Sequence, residues 1–280
     1  MKLCSIASSS EGNCIYIGTG EHHYLVDVGI SRTRAVEGLK KIGVLPEQIE
    51  GIFITHEHSD HVKGLTVWQK KTPCPVYGTA ETLHVLTHRK DACVIRQELM
   101  HPVEAGKTFC LGNTVIHPFS ISHDAADPVG YTFSDETGKI GIATDLGKYT
   151  EDIIECLKGA NALLIEANHD INMVEVGKYP FALKKRILGD FGHLSNDNAG
   201  RLVERLLGEC LEYVLLGHLS KENNVKELAY ETVCYEVEKS QSPFKDSCII
   251  EVADRVSPSG YYDTTKQREV PEGFVSGKAV

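Results

Sequence analysis

The sequence predicts an α/β fold, read as an αββα four-layer sandwich in which two mixed β-sheets lie face to face with helices outside. Three observations carry that prediction. The chain runs twice through one coarse order, β-hairpins first and strand–helix alternation after. Its apolar runs have strand length or helical spacing, and none approaches the roughly 18 residues of a membrane-spanning helix. Its 280 residues are 41% hydrophobic and 24% charged, a globular composition that excludes a disordered chain.

The elements come in this order. Lys2–Ala7, Cys14–Gly18 and Tyr24–Val28 read as strands joined by Gly and Ser turns. Arg32–Ile42 reads as a helix stopped by Gly43. Ile52–Thr55 is a short buried strand leading into His56. A helix fits Val62–Lys71, ended by Pro73 and Pro75. Val76–Gly78 is a strand and Ala80–His88 a helix. Phe109–Leu111, Thr114–Ser122, Gly130–Ser134 and Lys139–Thr144 are β, with a hairpin turn at Glu136–Gly138. Alternation then resumes with helix Glu151–Lys158 and strand Ala162–Glu166. Helix Asn198–Cys210 is apolar on one face, and strand Tyr213–Leu216 comes next. Helix Val225–Val237 and strand Cys248–Val252 close the fold. Residues 1–253 read as one domain and 254–280 as a loosely packed C-terminal tail.

The formal net charge, 29 − 39 = −10, disfavours indiscriminate adhesion to nucleic acid, though a local basic surface can still bind it. Nine scattered cysteines without a CxxC pair read as reduced thiols, and no secretory signal is visible. A cytoplasmic location without membrane contact is therefore expected. Oligomeric state has no signature in the sequence.

The densest chemical signal is Thr55-His56-Glu57-His58-Ser59-Asp60-His61. Three His and one Asp fall within six residues directly after a buried strand. His56 and His58 alternate to one side of an extended turn, while Asp60 and His61 open the next helix. One turn can then serve two neighbouring cations, and imidazole with carboxylate suits Zn, Mn or Fe. Further His and Asp residues share one context, a strand that has just run out: Asp27, His123, Asp145 and His218. In α/β sandwiches such strand ends form the functional rim.

The HxHxDH segment, preceded by Leu25-Val26-Asp27-Val28-Gly29 and followed by isolated His, Asp and His, resembles the metallo-β-lactamase fold superfamily. The resemblance spans about residues 1–252. It implies that His56, His58 and His123 bind a first divalent metal ion, that Asp60, His61 and His218 bind a second, and that Asp145 bridges them. Asp27 would orient the metal-binding loop from behind. Asp145 stands where lactamases in the narrow sense carry Cys, which argues against lactam hydrolysis.

Two further segments resemble RNase Z: Leu163-Leu164-Ile165-Glu166-Ala167-Asn168, and Gly192-His193-Leu194-Ser195-Asn196 with its following helix and Gly217-His218. They imply a Glu166–His193 dyad at the leaving group. With Asp60 these make the catalytic set, and a hydroxide held between the metals would attack phosphorus. No long arm for gripping tRNA is seen, and Asp145 to His193 spans only 48 residues, too few for the insert of RNase J. The segments Ser8–Cys14, His123–Tyr131 and Glu166–Asp170 look most like the compact bacterial YycJ (WalJ) group. That resemblance implies a DNA exonuclease, 5′-to-3′ and linked to DNA repair or to wall-sensing operons, with DNA rather than RNA as substrate. The rival readings are a small-molecule hydrolase of cyclic phosphodiesters or thioesters, and a non-catalytic metal-binding partner in a signalling or repair complex.

Substrate contacts are expected from Ser9, Ser10 and Asn13, whose turn reads either as a phosphate cradle or as a plain hairpin turn. Ser195 and Asn196 are expected beside His193, with helix capping by Ser195 as the other reading. Lys184-Lys185-Arg186 reads as a solvated helix face, or as a track for a nucleic-acid backbone. Trp68, Tyr131 and Phe181 are either core or base-stacking aromatics.

Overall fold

The computed structural model describes residues 1–88 and 95–265. Two seven-stranded sheets make up its centre. The first contains β1 (Lys2–Ala7), β2 (Cys14–Thr19), β3 (His22–Val26), β4 (Ile49–Phe53), β5 (Val76–Thr79) and β6 (Met100–Val103). The second contains β7 (Phe109–Leu111), β8 (Thr114–Ser120), β9 (Val129–Asp135), β10 (Gly138–Ala143), β11 (Ala162–Glu166), β12 (Tyr213–Gly217) and β13 (Ile249–Val252). The final strand, β14 (Ser259–Asp263), returns to the first sheet beside β1.

Each sheet changes character part-way across. β1, β2 and β3 pair antiparallel, and β3 to β6 pair parallel. β7 to β10 pair antiparallel, and β10 to β13 pair parallel. The switch strands are thus β3 and β10. Parallel neighbours need crossover helices, which supply the outer layers. Over the first sheet lie α1 (Arg32–Lys41), α2 (Ser59–Val62), α3 (Leu65–Lys71) and α4 (Ala80–His88). The second half carries α5 (Glu151–Leu157), α6 (Ile171–Val176), α7 (Phe181–Ile187), α8 (Asn196–Leu206) and α9 (Lys226–Glu238).

The burial pattern matches four layers. One apolar cluster lies between the sheets, where Phe53 meets Tyr24, Tyr131 and Phe133 edge to face at ring separations of 5.6, 5.5 and 5.0 Å. A second joins the first sheet to α1, α3 and α4, and a third joins the second sheet to α5, α8 and α9. Among the described residues no helix is long and apolar enough to cross a membrane, and eight cysteines are free thiols.

Three elements depart from the sequence reading. β6 is absent from it, since the strand's sequence, Met-His-Pro-Val, carries a proline that only an edge strand tolerates. Short α6 is absent from it too. The segment expected as a loose tail contains β14, whose Leu3–Tyr262 register places Tyr262 on the inter-sheet core and Tyr261 on the helix side. Period-2 alternation, here shortened to two tyrosines, is what anchors it. The rest of that tail, 266–280, lies outside the described residues.

Candidate metal centre

The carboxyl ends of β3 and β4 in the first sheet form one rim of a shared site, and those of β8, β10, β11 and β12 in the second sheet form the other. β4 ends at Phe53, and the loop after it delivers the His-rich segment. His58 takes the N-cap position of α2 with an extended backbone (φ −62°, ψ 148°), so Asp60 and His61 turn inward on the first helical turn. Asp27 fixes this loop from behind. Fully buried, it accepts from Thr55 N at 2.9 Å, Thr55 Oγ1 at 2.8 Å and His61 Nδ1 at 2.7 Å. With its Nδ1 proton so engaged, His61 presents Nε2 to the cavity, 3.3 Å from Asp60 Oδ2 and 3.2 Å from Asp145 Oδ2.

The other rim contributes one residue per strand end. His123 donates Nδ1–H to Gly192 O at 3.0 Å and turns Nε2 toward His58 Nδ1 at 3.2 Å. His218 donates Nδ1–H to Glu166 Oε1 at 2.9 Å and turns Nε2 toward Asp60 Oδ2 at 3.3 Å and Asp145 Oδ1 at 3.5 Å. His193 Nδ1 donates to the same Oε1 at 2.8 Å. Glu166 Oε2 accepts from the backbone N–H groups of Leu146 and Leu194 at 2.7 and 3.0 Å. One fully buried carboxylate thus holds two imidazoles and two loops.

Three residues of the two rims have left-handed backbones: Asp27 (φ 61°), Asp145 (φ 60°) and His218 (φ 57°). They are the only non-glycine cases among the described residues. Each carries a cost of about 1–3 kcal/mol that surrounding structure must sustain. In each case the turn ends a strand and throws the side chain sideways into the rim.

The donor set fits divalent metal ions. His56-His58-His123, His56-His61-Asp145 and Asp60-His61-His218 each bring their ligand atoms within 4.8 Å of one another, as do Asp145-Glu166-His193-His218. His56 Nε2 is buried without a hydrogen-bond partner, and burial holds that imidazole well below its usual range, in the neutral form that ligates. The opposite pressure acts on His218. Burial alone would lower it, but Asp145, Asp60 and Glu166 push it up to about 10. Burial likewise opposes charge on Glu166, which His193 and His218 nonetheless hold down to about 2. A buried cluster of carboxylates that draws positive charge this strongly is suited to cations.

The expected substrate contacts are placed differently. In the Ser8–Asn13 turn only Ser10, of the three expected contacts, is exposed. Asn13 is fully buried, donates to Ser9 O at 3.0 Å and accepts from Ser9 N at 3.1 Å. Its Nδ2 also lies 3.2 Å from His61 Nε2. Ser8 Oγ accepts from His218 N at 2.8 Å, so this turn is a strut between the two rims. Short polar side chains have satisfied the turn's own backbone. Ser195 caps α8 by accepting from Asn198 N, and buried Asn196 exchanges amide hydrogen bonds with Asn224 at 3.1 and 2.8 Å. Both are corrected to structural positions. Trp68 and Tyr131 are core, whereas Phe181 is 82% exposed.

Sequence reasoning missed Asn168, which donates to His218 O at 2.9 Å. It also missed Gly192 as the acceptor for His123, since backbone carbonyls leave no sequence signal. From the basic triplet, Arg186 grips Asp124 in a two-pronged ion pair (2.5 and 2.9 Å), and Asp124 Oδ1 stands 3.5 Å from His123 Nε2.

A family model described as the beta-lactamase superfamily domain matches residues 22–218. Exodeoxyribonuclease YycJ of Bacillus anthracis is 39% identical over 235 residues, covering 84% of this chain and 88% of that protein. Exodeoxyribonuclease WalJ of Streptococcus pneumoniae is 38% identical over 232 residues, covering 83% and 86%. Among solved structures, Zn(2+)-bound PqqB from Methylobacterium extorquens superposes with a TM-score of 0.69 at 16% identity, covering 93% of this chain and 100% of that one. At that identity the likeness is one of fold.

Proposed function

This chain belongs to the metallo-β-lactamase superfamily, in the group of the exodeoxyribonucleases YycJ and WalJ, and from that membership we propose that it is a two-metal DNA exonuclease working 5′-to-3′. The observation that carries the reading is the sharing of Glu166 Oε1 between His193 and His218. One imidazole completes a ligand triplet, while the other stands beside it, 3.6 Å from Asp145. That is where a proton donor to a departing oxygen belongs.

In this reading His56, His58 and His123 would hold one divalent cation and Asp60, His61 and His218 a second, with the Asp145 carboxylate facing both groups. Bound there, such cations, whether Zn, Mn or Fe, would supply an activated water and neutralise charge on the phosphoryl oxygens. Glu166 fixes the His193 ring by accepting its Nδ1–H, which leaves Nε2 for the proton transfer. As hydroxide adds to phosphorus, the P–O3′ bond of the terminal nucleotide breaks, and the O3′ takes the Nε2 proton of His193. Such general-acid assistance is worth about 10²–10⁴ in rate.

The test is a 5′-phosphorylated single-stranded DNA incubated with protein and Mn or Zn, with products followed by mass spectrometry. The expected products are 5′-mononucleotides from the outset, with a 3′ label released last. Internal fragments first, or no release, would refute the reading. RNA, a cyclic dinucleotide and a thioester run in parallel. Faster turnover of either small molecule would move the assignment to a metabolite hydrolase. Native mass spectrometry counts the ions, and a single ion at saturation would remove the second site.

A further inference from the structure

A cavity of about 470 Å³ opens between the end of β8, α5 and the loop that precedes α8. That volume suits a small-molecule fragment. Three of its lining residues neighbour site residues in the chain. Ser122 precedes His123, Lys148 follows Asp145 by three positions, and Phe191 precedes His193 by two. The loop that carries Phe191 also meets the centre directly, since Gly192 O accepts from His123 Nδ1 at 3.0 Å.

Its mouth is held in place. Ser122 Oγ donates to Asp190 O at 2.7 Å, and Gly147 N donates to Ser122 O at 2.8 Å. A Cβ on Gly147 would sit 2.1 Å from Asp190 O, so the two loops press together through a glycine. On this braced loop Phe191 is 62% exposed, unusual for a residue type found mostly inside. Val176, Phe181, Leu188 and Phe191 all lie in the segment between Glu166 and His193. They are four of the nine large apolar side chains exposed among the described residues. Lys148 stands at the same mouth, half-exposed and paired with Asp190 at 2.6 Å. His117, Ser120 and Thr150 offer polar groups along the wall.

We propose that this cavity takes the base of the nucleotide whose 3′ oxygen departs, stacked on Phe191 with Lys148 beside its 5′-phosphate. The proposal rests on the nuclease reading and adds a subsite to it. A ring face accepts any base, so the subsite supports cleavage without sequence preference. The larger cavity, about 680 Å³ at the open edge by β6 and β7, is walled by Glu81, Glu104 and Asp127. Lys107 and His101 also line it, so three carboxylates face one lysine there, against Asp152 and Lys148 in the smaller cavity, and that balance favours the smaller cavity for a phosphate chain.

The experiment is a cycle between protein and substrate. A 5′-phosphorylated oligodeoxynucleotide is compared with the same strand made abasic at its 5′-terminal nucleotide. Removing the base should cost the wild-type protein about 5- to 150-fold in kcat/KM, the worth of one base stacked on an aromatic ring. Phe191→Ala should lose about as much on the intact strand and nothing more on the abasic one. Losses that multiply would overturn the proposal. Phe191→Trp should retain turnover on the intact strand. The chain's one natural tryptophan, Trp68, is fully buried, so the introduced indole reports on the mouth. Its emission should be quenched by the oligonucleotide in EDTA, and unquenched emission at saturation would also overturn the proposal. Failure of the wild-type protein to degrade the intact strand would count against the nuclease assignment, whereas quenching reads the subsite independently of turnover.

Discussion

Asp27 and Asp145 occupy equivalent places in the two sheets. Each comes after the strand at which antiparallel pairing gives way to parallel, β3 for one and β10 for the other. Their backbones are nearly identical, at φ 61° and 60°. Their surroundings differ. Asp27 is met by the loop after β4, which brings it the Thr55 N–H, the Thr55 hydroxyl and the His61 Nδ1–H. Among the described residues Asp145 Oδ2 is buried without a hydrogen-bond partner, and the neighbouring Leu146 N–H goes to Glu166. The Asp145 carboxylate instead faces the ring nitrogens of His61, His123, His193 and His218 at 3.2 to 3.7 Å. The same backbone device thus yields a carboxylate saturated by its own loop in one sheet and a carboxylate facing four imidazoles in the other. The loop leaving the next strand decides between them.

That contrast can be broken or sharpened by substitution. The largest effect is expected for Asp145→Ala, which should empty both sites and bring turnover down to that of chelated protein. Retention of either ion by mass spectrometry would show that Asp145 is not shared. Next comes His193→Ala, with a loss of about 10²–10⁴ in turnover and unchanged ion content. On a substrate with a nitrophenolate leaving group, which needs no proton, the loss should vanish. An equal loss on both substrates, or a lost ion, would make His193 a ligand. Asp27→Asn should weaken metal binding by about 10- to 100-fold, measured by competition with a chelating dye and confined to the site that uses His61. If Asp27→Asn matched Asp145→Ala, the division of labour proposed for the two carboxylates would fail. The smallest effect concerns α8. Asn196→Ala removes both hydrogen bonds to Asn224, which keeps Ala167 O and the Val225 N–H as partners, and should cost about 1–3 kcal/mol in denaturant unfolding, with KM for DNA unaltered. A raised KM would restore Asn196 to the substrate surface.

The first rim is far more legible in sequence than the second. Its His and Asp residues fall within one loop, so their density alone signals metal chemistry. The second rim assembles His123, Asp145, Glu166 and His218 from separate strand ends and His193 from the loop before α8, and such places are also where any turn residue sits. Resemblance to a known family, more than spacing, singles these out. Most strands and helices are readable because apolar alternation or helical spacing marks a buried face. β6 and β14 are not, since an edge strand of four or five residues, one bearing Pro102 and the other Gly260, buries too little to show a period. Ser9 and Asn13 read as substrate contacts because polar residues in a glycine-bearing turn look alike whether they bind a ligand or their own backbone.

The three left-handed residues have an evolutionary consequence. Glycine adopts that conformation without the Cβ penalty, so at positions 27, 145 and 218 it would relax the turn while deleting a functional side chain. Selection for activity and selection for stability therefore pull in opposite directions at these positions. A descendant copy freed from its catalytic task would gain by drifting to glycine, or to asparagine, at these three places before its core began to erode. Within this family, the residues at those positions should therefore distinguish relatives that still cut from relatives that only keep the fold.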